Sequence, residues 1–246
     1  MPIVPVHAAA AGGPVSASLV LPDGEHARLP LVCFFPDAGG PRGTMTSMAE
    51  RLASHGYAVL IVDPYAHLPP YEPFDVKTVF TDPPERARLF AMIQAFDTKQ
   101  IVADAAALAD AITDVRVTKE RFGTMGYCMG GRIAFIAATI LGERVAAVAA
   151  IHAGGLVNDK PESPHRQLAS VRARIYVGAA DQDASCSLEH QAALDQALTE
   201  ANLEHQIELY EGAKHGFAVP DFPVYDEPAA EKHWQRVLAL FEATLR

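Results

Sequence analysis

Short apolar runs alternate along the chain with longer stretches in which apolar residues recur every three or four positions. The runs at 16–22 (SASLVLP), 31–36 (LVCFFP), 57–63 (YAVLIVD), 121–126 (RFGTMG), 145–152 (VAAVAAIH), 174–180 (RIYVGAA) and 206–212 (QIELYEG) predict strands. The middle ones are almost continuously apolar, the pattern of a parallel sheet covered on both faces. Helices are predicted over 44–55, 84–95, 98–113, 129–141, 187–201 and 228–245. In the last of these, Trp234, Val237, Leu238, Phe241 and Leu245 line one face at helical spacing. Repeated alternation of strand and helix predicts an α/β fold with a mostly parallel central sheet.

No internal repeat or low-complexity linker interrupts this alternation, so residues 1–246 read as a single domain, a size at which α/β folds commonly remain undivided. The long irregular stretch is 64–83, PYAHLPPYEPFDVKTVFTDP, rich in proline and aromatics. Loops of this length inside a compact domain are uncommon and often functional. It reads either as a surface excursion over the core or as a pocket wall or lid.

Charge and cysteine content narrow the partners. A net charge of -10, from 20 Lys and Arg against 30 Asp and Glu, argues against nucleic acid or an anionic membrane surface. It leaves small molecules open and says nothing of oligomeric state. Three cysteines, Cys33, Cys128 and Cys186, with no Cys-x-x-Cys pair, make a poor disulfide framework and an unlikely zinc site. The N-terminal MPIVPVHAAAAGG lacks the basic start of a secretory signal, and no run reaches the roughly 18 apolar residues of a membrane span. A cytoplasmic location is expected, with no metal and no organic cofactor.

The sharpest chemical feature is Gly126-Tyr127-Cys128-Met129-Gly130, set between a predicted strand and a predicted helix. A turn this tight strains its central residue and leaves little room beside it, which the glycines relieve. It also lifts the Cys128 side chain to a helix N-terminus, where an anion is favoured. An isolated cysteine is more often a small buried hydrophobe; this setting points to a nucleophile. A nucleophile on such a turn is served by an acid and then a histidine, in that chain order. VGAADQD offers Asp181 just past strand 174–180, with Asp183 as the alternative two residues on. YEGAKHGF puts His215 in a Gly-flanked loop after the last strand, and His152, ending strand 145–152, is a candidate to line the same crevice. For an oxyanion, the expected donors are the N–H of Met129 and that of Ala38, in the glycine-rich DAGGPRG loop.

VDPYA, QAFD, GYCMGG, GAADQD and KHGF together resemble the dienelactone hydrolase family, the cysteine-nucleophile branch of the α/β-hydrolases, over almost the whole length. The resemblance implies an α/β-hydrolase fold, with Cys128 as nucleophile, His215 as base and Asp181 as orienting acid. It also implies Asp37 as a carboxylate activating the thiol. Where dienelactone enzymes carry two substrate-binding arginines, this chain has His67 and Val219, so a neutral ester or lactone is expected rather than a carboxylated dienelactone. Tyr65, Tyr71, Phe74 and Phe217 would supply an apolar pocket for it, unless they belong to the core. The expected reaction is acyl transfer through a thioester. The rival readings are a non-catalytic binding protein on the same fold and a redox-responsive thiol protein, in which Cys33 or Cys186 approaches Cys128.

Overall fold

The computed structural model describes residues 1–246. Its strands are β1 (Ile3–Ala10), β2 (Gly13–Val20), β3 (Leu29–Phe35), β4 (Ala58–Ile61), β5 (Val117–Tyr127), β6 (Val145–Ile151), β7 (Arg174–Gln182) and β8 (His205–Lys214). They form one eight-stranded sheet in the order β1-β2-β4-β3-β5-β6-β7-β8. β1 and β2 run antiparallel to their neighbours, and every pairing from β4/β3 to β7/β8 is parallel. The helices are α1 (Gly43–Ala53), α2 (Pro83–Ala95), α3 (Thr98–Ala111), α4 (Met129–Leu141), α5 (Leu188–Glu200) and α6 (Glu227–Leu245).

Strand side chains alternate between two faces, and both faces here are apolar. All seven residues of β3 are buried. Leu31, Cys33 and Phe35 join a core with Val102, Ile133 and Leu194 of α3, α4 and α5. Val32 and Phe34 join a second core with Met45 and Leu52 of α1 and Trp234 and Phe241 of α6. This two-sided burial is why the central strands read as continuous apolar runs. The resulting α/β-hydrolase-type sandwich matches the expected fold class.

The β1–β2 hairpin is where the pattern misleads. No strand is predicted over 3–10, and the second is predicted three residues late. β1 is an edge strand whose only buried residue is Val6, and it carries Pro5; an edge tolerates proline and imposes little apolar alternation. The 64–83 stretch is packed rather than free, with Tyr65, Phe74, Val76 and Val79 buried. Phe74 and Val79 meet Ala38 and Leu89 of α2 in a small third cluster. No helix is long and apolar enough to cross a membrane.

Candidate active site

The carboxyl ends of β3, β5, β7 and β8 and their following loops converge on Cys128. That residue is the N-cap of α4, with φ 55° and ψ −119°, a backbone region that costs of order 1–3 kcal/mol for a residue with a side chain. The turn closes only because its neighbours lack one: a Cβ on Gly126 would lie 2.2 Å from the Gly130 carbonyl oxygen, and one on Gly130 would lie 2.1 Å from that of Phe35. The Cys128 N–H donates to the Ile151 carbonyl at 3.0 Å and approaches His152 Nδ1 at 3.1 Å.

A hydrogen-bonded relay starts at the thiol. His215 Nε2 lies 2.9 Å from Cys128 Sγ, and His215 Nδ1 lies 2.6 Å from Asp183 Oδ2. The other Asp183 oxygen, Oδ1, accepts from the Ser185 N–H at 2.9 Å and hydroxyl at 2.6 Å. Burial opposes ionisation of Asp183, but the hydrogen bonds from His215 and Ser185 outweigh it and hold the carboxyl below its usual range. Burial likewise opposes charge on His215, yet its bonds to Asp183 and Cys128 prevail and push its pKa up to about 10.

The carboxylate that meets the imidazole is therefore Asp183, the alternative, rather than the expected Asp181. Asp181 is exposed, and its carboxylate accepts the Gly212 N–H across the β7–β8 pair at 3.0 Å. β7 runs on through Gln182, past the predicted end, so Asp181 still belongs to the strand, at an irregularity in its pairing with β8. Asp183, the first residue beyond the strand, caps a turn of 3-10 helix at Ala184–Cys186 and faces the imidazole.

Asp37 is also corrected. It is wholly buried, but its oxygens are occupied by Arg42: Nη1 donates to Oδ1 at 2.8 Å and Nη2 to Oδ2 at 2.9 Å, while the Gly39 N–H donates to Oδ1. No hydrogen bond joins it to the thiol. Arg42 also reaches Asp221 in the loop after His215, through Nε at 2.7 Å and Nη2 at 2.9 Å, and Thr44 donates to the same carboxylate. A carboxylate removed from water takes the nearest cation, and here that lies five residues on.

Ala38 and Met129 both border a cavity of about 560 Å³ that opens over Cys128 and His215. The Met129 N–H is at the first position of α4, where no intrahelical acceptor exists. The Ala38 carbonyl accepts the Tyr65 hydroxyl at 2.7 Å, while its N–H has no acceptor in the protein.

None of the expected substrate-contacting side chains lines this cavity. Tyr65 is buried beneath Ala38, with Tyr71 edge-on to it and Phe74 tilted against Tyr71. His67 binds Asp104 of α3 at 2.8 Å, by the β1–β2 turn. Phe217 and Val219 are fully buried in the α6-side core, Phe217 stacked on Tyr210. His152 is fully buried behind the thiol; burial, then the charges of His215 and His233, keep its pKa well below the usual value. The actual walls are Phe80, Phe90, Ile93, Phe96, Met129 and Ile133, with Arg132, Thr98 and Ser185 as polar members. Phe90 and Ile93 stand three apart on α2, and Arg132 one turn after Cys128. Those spacings are visible in the sequence.

No group of three or more metal-ligating side chains is assembled anywhere in the chain. Cys33 and Cys186 are free and buried, and burial raises their pKa values to about 12 and about 11.

The dienelactone hydrolase family model matches residues 15–245. Among curated proteins, one from Synechocystis sp. assigned as a carboxymethylenebutenolidase is 26% identical over 227 residues, 88% of this chain and 87% of that one. The carboxymethylenebutenolidase of Pseudomonas putida is 26% identical over 193 residues, covering 77% and 75%. Among solved structures, a protein from Klebsiella pneumoniae assigned as a dienelactone hydrolase superposes with a TM-score of 0.83 at 22% identity, covering 98% and 99% of the two chains.

Proposed function

The chain belongs to the dienelactone hydrolase family, and on that premise we propose that it hydrolyses an ester or lactone through a Cys128–His215–Asp183 triad. The observation that carries this reading is the unbroken relay, 2.9 Å from sulfur to imidazole and 2.6 Å from imidazole to carboxylate. In this reading His215 Nε2 takes the thiol proton and the sulfur attacks as the thiolate of that pair, with the imidazolium held by Asp183. Cys128 Sγ adds to the carbonyl carbon, and the developing oxyanion is met by the N–H groups of Met129 and Ala38. As the C–O bond breaks, His215 gives its proton to the leaving alkoxide. It then takes one from water, and that water's oxygen attacks the thioester, frees the acid and restores the thiolate–imidazolium pair. Asp183 keeps the ring oriented throughout. The apolar cavity walls suit an aryl or alkyl substituent.

The test is a panel of p-nitrophenyl esters and simple lactones assayed with the native protein and Cys128→Ala. Turnover by the native protein, reduced at least about a thousand-fold in the variant, is expected. Equal rates in both, or no turnover of any member, would refute the proposal and favour a binding role for the same cavity.

A further inference from the structure

The N–H of Met129 is aimed by the helix it begins, whereas that of Ala38 belongs to the glycine-rich loop after β3. Glycines leave a loop many conformations, so contacts must fix this donor. The peptide that carries it, Asp37–Ala38, is tied through its carbonyl, which accepts from the Gly40 N–H at 3.0 Å. The next peptide, Ala38–Gly39, is tied at both ends. Its N–H donates to Asp37 Oδ1 at 2.8 Å, and its carbonyl accepts from the Tyr65 hydroxyl at 2.7 Å. A planar peptide gripped at both ends resists rotation, and through the Ala38 Cα it limits the turning of the peptide before it. Of these three bonds, the one from Tyr65 alone comes from outside the loop.

Tyr65 is itself held. Only 2% of its surface is exposed, and its N–H donates to Asp63 Oδ1 at 2.8 Å. The rings of Tyr71 and Phe96 meet its ring edge-on at 5.5 and 6.2 Å. Its hydroxyl also lies 3.9 Å from Met129 Sδ. One buried phenol thus touches both residues whose N–H groups meet the oxyanion in the reaction above. Burial pushes its pKa well above the ordinary phenol value, so the hydroxyl stays a donor at any pH near neutrality.

We infer that Tyr65 is a positioning residue for catalysis: by holding the Ala38 carbonyl, its hydroxyl keeps the Ala38 N–H pointed at the carbonyl oxygen under attack. For the ester itself this rests on the hydrolase reading. Preorganised donors stabilise a developing oxyanion because they need no reorientation as charge forms. Losing one donor outright costs about 100- to 1,000-fold in rate, so a donor still present but free to swing should cost about 10- to 100-fold. The loss should fall on kcat rather than KM, since the oxyanion exists only after attack.

Tyr65→Phe removes the hydroxyl and keeps the ring. Tyr71→Phe makes the same deletion on the neighbouring ring, whose hydroxyl bonds neither Ala38 nor Met129, and serves as control. Two reactions at Cys128, both read by mass spectrometry and neither hydrolytic, separate aim from architecture. In alkylation by iodoacetamide, sulfur displaces iodide and no oxyanion forms. In addition of hexyl trifluoromethyl ketone, the thiol proton passes to His215, an S–C bond forms, and the carbonyl π pair becomes an oxyanion. The ketone's affinity is read from its protection of Cys128 against iodoacetamide. In Y65F the alkylation rate should stay within about twofold of native, while the ketone binds about 10- to 100-fold more weakly. Y71F should match native in both. Hydrolysis of p-nitrophenyl butyrate by Y65F should show the same loss in kcat, with KM little changed. Ketone affinity unmoved in Y65F, or lost equally in Y71F, would overturn the inference. So would alkylation slowed in proportion to the ketone's loss, which marks a tyrosine that merely supports the site. Weaker ketone binding in Y65F, with no ester turned over by the native protein, would uphold the positioning role and sink the hydrolase reading.

Discussion

Two aspartates, two residues apart, have different fates because the β7 ladder ends between them. Asp181 is held at the strand by the Gly212 N–H, and Asp183 turns inward to the imidazole. Asp183→Asn should therefore lower kcat by about a hundred-fold or more, since the amide can favour the wrong tautomer of His215. Asp181→Asn keeps an oxygen for Gly212 and should stay within a few-fold of native. A steady-state comparison of the two variants checks this, and equal losses would mean that the acid has been misassigned. At this scale the sequence shows chemistry more clearly than geometry. Cys128 and His215 were legible because a glycine-flanked turn and a glycine-flanked loop constrain where they point. The choice between Asp181 and Asp183 was not, because it depends on where a strand stops. The aromatics of 64–74 misled for a related reason: composition marks them as bulky and apolar, but Tyr65 and Phe74 are spent supporting the Ala38 loop from below.

Among the elements, the loops after β3 and β8 are joined by a single side chain. Arg42 grips Asp37 on one and Asp221 on the other, with Asp37 fully buried and Asp221 partly open to solvent. The segment containing Ala38 is thereby fixed relative to the segment containing His215. Arg42→Met would leave the buried Asp37 carboxylate without its cation, held only by the Gly39 N–H, at a cost of about 3–5 kcal/mol. The double variant Asp37→Asn with Arg42→Met leaves no fully buried charge behind, Asp221 being partly open to solvent, and should recover much of that loss. Urea unfolding of the set decides the matter; a double variant as unstable as the single one would show that the guanidinium acts by packing alone. The core helices were readable because α4 and α6 each bury an unmistakable apolar stripe. α2 was readable as a helix but not as a cavity wall, since Leu89 is its one buried residue and only Phe90 and Ile93 of its other apolar residues face the crevice. Arg42 could not be assigned to its partners at all, because Asp221 lies 179 residues away in sequence.

For the molecule as a whole, the parallel sheet delivers Cys128, His215 and Asp183 to one edge, and it also buries two histidines behind them. His152 and His233 are fully buried. Burial is the main cause that lowers both, His233 to about 3 and His152 well below the usual value. Each is thus neutral in the native state and takes up a proton on unfolding once the pH falls below the ordinary histidine value of about 6.5. The unfolded chain then binds more protons than the folded one, so stability declines as the pH falls through the window from about 6.5 toward 3. His233 should contribute a slope approaching about 1.4 kcal/mol per pH unit within that window, and His152 a contribution of the same sign. His233 Nε2 shares a hydrogen bond with the Tyr127 hydroxyl at 3.0 Å, a bond that glutamine can replace. His233→Gln should accordingly flatten the acid limb by about one proton relative to native, whatever the other histidines contribute to both. Unfolding free energies from urea titrations at pH 7.5, 6 and 5 give the two slopes. Parallel acid limbs would mean that His233 is already protonated in the folded protein, and that the buried layer behind the thiol carries charge after all.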